Sequence, residues 1–187
     1  MDVFVKESEQ ERCFEDLFEA YCSDIVAYCS WRAGSASDAQ DAVADVFVAA
    51  WRRRDELPEG DAARVWLYAT ARRVIANQRR SRRRRVALHE RLALEATSRQ
   101  QEAPSPEGKH ALVHEALRRL RPRDREILLL AEWEGLSSAD IAEVLGCLTV
   151  TARGRLHRAR HRFQAVFEEL QSHDVTVTAG WVAQPLR

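Results

Sequence analysis

Apolar positions recur along this chain at steps of three and four residues, the period of an α-helix that buries one face. Phe14, Leu17, Phe18, Tyr21, Ile25, Val26 and Cys29 share a face over residues 10–32, after a short polar lead and before Gly34. Ala39, Ala42, Val43, Val46, Phe47 and Ala50 form the buried side of a second helix. A capping box of Ser37 and Gln40 is expected to start it at Asp38. Pro58 and Gly60 break the pattern in a loop over residues 55–63. A third helix runs from about Ala62 into an arginine run, with Leu67, Ala71, Val74 and Gln78 along one face. His110 to Leu120 and Arg123 to Trp133, separated at Pro122, make a helical pair with a core of Ala116, Leu117, Leu120, Ile127, Leu128 and Leu130.

Residues 136–163 read as two short helices joined by a turn at Gly146. Ser137 caps the first, with Asp140 near its positive end, and Ile141, Ala142 and Leu145 give it a small apolar face. The second carries Ala152, Leu156, Ala159 and Phe163 on one stripe. Its other faces carry Arg153, Arg155, His157, Arg158, Arg160, His161 and Arg162, with no acid from Thr149 to Phe163. A helix held by one stripe and basic elsewhere suits the DNA major groove. A solvated basic helix in an ordinary bundle would share that pattern.

Charge sharpens the picture. The net formal charge is zero, yet residues 1–61 hold six Lys/Arg against fifteen Asp/Glu, and residues 62–92 hold ten Arg against one Glu. Adjacent acidic and basic segments suit a bridge between a basic protein and a nucleic acid. Asp38, Asp41 and Asp45 fall on one stripe of the second helix. This is either a solvated acidic face or a docking stripe for a basic partner. Trp66, Thr70, Arg73 and Asn77 form an aromatic-led polar row leading to Arg79, Arg80 and Arg82 to Arg85. Stacking on an aromatic ring with arginines along a backbone is the chemistry of single-stranded nucleic acid. Six arginines between positions 79 and 85 repel one another without an anionic partner.

Several classes drop out. The four cysteines (Cys13, Cys22, Cys29 and Cys147) make no CxxC and no metal-like spacing with histidine. Cys22 and Cys29 could share a helix face, but buried reduced thiols are the simpler reading. No acidic pair is accompanied by a nucleophile or histidine, so no catalytic site, metal or cofactor is expected. The N-terminus is acidic without an apolar signal segment, and no apolar run approaches ~20 residues. No membrane insertion and a cytoplasmic location are expected.

The blocks FEDLFEAY, DAQDAVADVF, WLYATARRVIANQRR and IAEVLG…T…RLHRAR, in this order, resemble bacterial RNA polymerase sigma factors. The similarity is to the extracytoplasmic-function (ECF) group of the sigma-70 family and covers nearly all of residues 12–167. It implies an all-α fold of two small helical domains joined by a flexible linker. Residues 10–94 would be region 2, for core binding and −10 melting, and 95–109 the linker, which in the family passes towards the RNA exit channel. Residues 110–170 would be region 4, the −35 reader, followed by a tail over 171–187.

The resemblance also assigns residues. Asp38, Asp41, Asp45 and Phe47 match the helix that docks on the β′ clamp helices of the polymerase core. Asp61, Trp66, Thr70, Arg73, Asn77, Arg79, Arg80 and Arg83 match the surface that captures melted −10 DNA. Thr149, Thr151, Arg153, Gly154, Arg155, His157 and Arg158 match the −35 duplex reader. An anti-sigma factor is the remaining implied partner. The chain departs from the family at Arg73, where Asn is frequent, and at Asn77, where Asp is frequent. Leu148 replaces the usual capping serine, so Thr149 is expected to cap one residue later or the helix start to fray. Gly154 replaces a serine and costs the helix roughly 1 kcal/mol relative to alanine. The competing readings are a stand-alone helix-turn-helix regulator, which leaves the acidic stripe unexplained, and a nucleic-acid enzyme, which lacks an arranged site.

Overall fold

Among residues 2–90 and 109–182, which the computed structural model describes (side chains over 11–85 and 111–172), there are seven α-helices and no strand. These are α1 Asp2–Arg32, α2 Ala36–Arg52, α3 Asp61–Glu90, α4 Lys109–Arg119, α5 Pro122–Leu128, α6 Ser138–Leu145 and α7 Thr149–Val182. The chain is all-α, as the periodicity implies. It divides into two units, residues 1–101 and 102–187, and the division falls within the stretch read as a linker. Most of that stretch, the side chains of the tail and residues 183–187 lie outside the described residues.

In the first unit α1, α2 and α3 pack against one another. Ile25, Tyr28 and Cys29, Ala42, Val46 and Ala50, and Leu67, Tyr68 and Ala71 are fully buried. Alanines at the contacts let the backbones approach, and the volume is filled by Tyr28 and Tyr68, whose rings meet edge-on at 5.2 Å. The expected face of α1 is rotated. Phe18 and Val26 remain largely exposed while Tyr28 is buried, because α1 packs between two helices and its stripe turns towards both. The polar lead is also part of the helix, which begins at Asp2.

The capping box at Ser37 does not form. Ser35 has extended backbone and its hydroxyl accepts from the Asp38 amide at 3.1 Å, so α2 starts at Ala36. Both serines satisfy the sequence rule, and the earlier one gains extra helical hydrogen bonds. The break after α2 is partly ordered. Residues Arg54–Glu56 form a 3-10 turn, and the Tyr21 hydroxyl donates to the Gly60 carbonyl at 3.4 Å.

In the second unit α4, α5 and α6 all pack on α7. Pro122 starts α5 from its first position, where its missing N–H costs nothing. Residues Leu129–Trp133 extend α5 as a wider π turn, with the Glu134 amide bonded to the Leu129 carbonyl. Ser137 and Asp140 complete a reciprocal capping box at 3.2 and 3.1 Å, and Gly146 closes α6 at φ 64°. Left-handed backbone there turns the chain into α7 at no side-chain cost.

Candidate polymerase-docking and nucleic-acid surfaces

Three surfaces can be built from these elements. On α2, Asp41 and Asp45 are exposed and Asp38 is half-buried beside them. Asp38 Oδ2 meets Arg82 Nη1 of α3 at 3.2 Å, so one acid of the stripe is held by the arginine run of the same unit. That pair passes directly over Gly34, where an added Cβ would collide with the Arg82 guanidinium. Phe47 is not at the surface. It is 6% exposed and packs edge-on against Phe18 at 4.7 Å, so it supports the stripe from beneath.

Along α3, Asp61 is exposed at the first residue, Trp66 is half-buried, and Arg73 and Asn77 are exposed. Thr70 is 6% exposed, and its Oγ1 accepts from Arg73 Nη2 at 3.3 Å. Arg73 Nε also donates to the Ala69 carbonyl at 3.1 Å. The threonine therefore orients Arg73 and does not itself face outward. The run that follows is only partly available. Arg79 donates to the Arg32 carbonyl at the end of α1, and Arg82 holds Asp38, while Arg80 and Arg83 are exposed. Arginine on a helix C-terminus satisfies a carbonyl that lacks a helical partner and opposes its partial charge.

The third surface is α7. Ala152, Leu156 and Ala159 are buried, and Phe163 is half-buried. The helix begins at Thr149, with the Leu148 carbonyl accepting from the Ala152 amide at 3.0 Å. Its start is not displaced by a residue, and Leu148 leads into it without a side-chain acceptor. Thr149, Thr151 and Gly154 are half-buried, and Arg153, Arg155, His157 and Arg158 are exposed. Two arginines on this helix have structural work instead. Arg160 pairs with Glu132 at 2.7 Å, and Arg162 with Asp124 at 2.7 Å. Asp124 is buried, so Arg162 neutralises it and ties α5 to α7. Among the described residues no acid pairs with Arg153, Arg155 or Arg158, which leaves their charge facing outward. The sequence pattern pointed to Leu148 only as a missing cap and did not single out Val150; they are 73% and 72% exposed at the head of this helix. A branched apolar residue outside the stripe of the reading helix was the available signal.

No group of three or more His, Cys, Asp or Glu suited to a metal occurs among the described residues. No helix there is long and apolar enough to cross a membrane.

One unit thus carries a helix-turn-helix whose Arg153, Arg155 and Arg158 face outward, and the other an acidic helix beside an aromatic and arginine row. The comparisons with known proteins give the chain's family. Residues 17–85 match Sigma-70 region 2 and residues 110–163 match Sigma-70 region 4, together about two thirds of the chain. The chain belongs to the sigma-70 family, in its ECF group. It is 28% identical over 162 residues to the ECF RNA polymerase sigma factor SigL of Mycobacterium tuberculosis, covering 82% of this chain and 88% of that one. It is 29% identical over 171 residues to the RNA polymerase sigma-H factor of Pseudomonas aeruginosa, covering 86% and 89%. The sigma factor RpoE of Bartonella quintana, solved in complex with the anti-sigma factor NepR, superposes with a TM-score of 0.67 at 25% identity, over 83% of this chain and 96% of that one.

Proposed function

We propose that this protein is an ECF sigma factor that binds RNA polymerase core and directs promoter-specific initiation, itself contributing no catalytic step. The observation that carries this is the pairing of regions 2 and 4 in one chain, each with its own charged surface. The exposed Asp41 and Asp45, with Asp38 beside them and Phe47 behind, form the face for the β′ clamp helices. Trp66, Arg73 and Asn77, with Asp61 at the loop and Arg80 and Arg83 along the backbone, receive the melted −10 strand. Thr70 and Arg79 position that row. Thr149, Thr151, Arg153, Gly154 and His157 face −35 base edges, and Arg155 and Arg158 the phosphates. Melting and duplex reading are distinct tasks, since an unpaired base is held by stacking and a paired one by its groove edge.

An anti-sigma factor covering these surfaces would hold the protein inactive; the Bartonella relative was solved in complex with such a partner. The place of action is the cytoplasm, where the polymerase works. In vitro transcription with purified core over genomic fragments tests the reading. The expected result is a set of discrete new start sites sharing two upstream elements. The absence of new start sites, together with no binding to core, would overturn it.

A further inference from the structure

Among the described residues, Leu148 and Val150 are the two most exposed large apolar side chains, more so than any of the aromatics. Val150 does not belong to the buried stripe of α7. Gly154, His157 and His161 follow it at four, seven and eleven residues, so the four share the ridge opposite Ala152, Leu156 and Ala159. Leu148 stands immediately before the first turn of the same helix. An apolar pair left in water at the head of a helix loses the free energy of its burial, unless something covers it.

Charge decides what covers it. The ridge is flanked by exposed Arg153, Arg155 and Arg158, and from Val144 to Phe167 the chain has no acidic residue. That surround attracts a polyanion, and the apolar feature of a DNA duplex within reach of a major-groove helix is the C5-methyl of thymine. Gly154 adds to the fit. A Cβ there would meet only the flexible end of Arg158, at 3.4 Å, so packing within the protein does not demand glycine. Its effect is to leave no side chain at this position between Val150 and His157, where only the flexible Arg158 guanidinium reaches over the backbone.

We infer that Val150, with Leu148 just ahead of the same helix, is a specificity-determining residue of the −35 surface that reads thymine through its methyl group. The inference rests on the sigma reading above and adds an apolar component to a face otherwise made of arginine, threonine and histidine.

The test uses the full chain with a bacterial core polymerase that it binds. Duplexes carrying a −35 element are selected from a random pool, and each thymine is then replaced singly by deoxyuridine, which removes only the methyl. For the unaltered protein, one or two positions should lose about fourfold in affinity, the factor that burying one methyl-sized group brings. Val150→Ala, or Leu148→Ala, should lose a similar factor on thymine DNA and nothing further on the matching deoxyuridine duplex. Circular dichroism checks that the exposed substitutions leave the helices intact. A selected −35 element that is insensitive to deoxyuridine, or variants that lose equally on both duplexes, would overturn the assignment while leaving the sigma reading standing. Selection that returns no −35 element would overturn both.

Discussion

At the scale of single residues, burial and pairing decide which side chains are free to act. Cys29 is fully enclosed between helices, and burial pushes its thiol up to about 11, although Arg32 nearby pulls the other way. In the unfolded chain the thiol ionises near its ordinary value of 9.0. Below that pH the two states hold the same proton. Between about 9 and 11 the unfolded state loses it first, so stability falls as pH rises. The full effect is on the order of 2–3 kcal/mol. Urea unfolding followed across this range should show a decline that is visibly shallower in Cys29→Ala. At neutral pH Cys29 should resist alkylation in the native protein, while the exposed Cys13 reacts.

Arg153 stands at the opposite extreme, exposed and without an acid partner among the described residues. Its replacement by alanine should cost ~1–3 kcal/mol of binding at the cognate −35 duplex if it pairs bidentately with a base. Affinity measured on several unrelated duplexes discriminates, because an equal loss on all of them reassigns Arg153 to phosphate.

Elements depend on how their ends are satisfied. Helix α6 has a complete capping box, whereas α7 begins after Leu148, whose side chain cannot accept a hydrogen bond. Leu148→Ser should supply that acceptor and stabilise the second unit by about 1 kcal/mol, read as a higher urea midpoint at unchanged m-value. The same substitution removes half of the exposed apolar pair, so stability and −35 affinity should move in opposite directions. For α3 the lesson is that one helix serves two ends of the unit. Its early turns present Trp66, Arg73 and Asn77, and its later turns reach back to α1 and α2 through Arg79 and Arg82. The Arg82–Asp38 pair is solvent-accessible on both sides and contributes at most about 1 kcal/mol.

Across the whole molecule, opposite charges are kept apart along the chain, with fifteen acids before position 62 and ten arginines over the next segment. The acidic face and the −35 reader lie in different units, so damage to one should spare the other. Asp41→Lys with Asp45→Lys reverses two exposed charges, and helical circular dichroism should not change. Binding to core, followed by gel filtration or fluorescence, should be abolished, while −35 duplex binding by region 4 should persist. Retained affinity for core would remove α2 from the docking surface.

The sequence by itself determined the helices and much of the chemistry. A 3.6-residue period reports directly which positions face a core, and runs of one charge need no folding to be seen. The stripe Ala152, Leu156 and Ala159, the Ser137 cap and the Gly146 turn follow from local rules, and the tertiary structure places them where those rules put them. What only the tertiary structure decided was which polar and aromatic groups are already engaged. Phe47 is buried against Phe18 of another helix, Arg79 and Arg82 are held across 47 and 44 residues, and Arg160 and Arg162 across 28 and 38. The sequence rule pointed to Ser37 as the start of α2, and the folded chain caps it at Ser35 instead. Local periodicity fixes the direction of a side chain on its own helix. Its availability depends on what a second helix brings against it, and that is a property of packing alone.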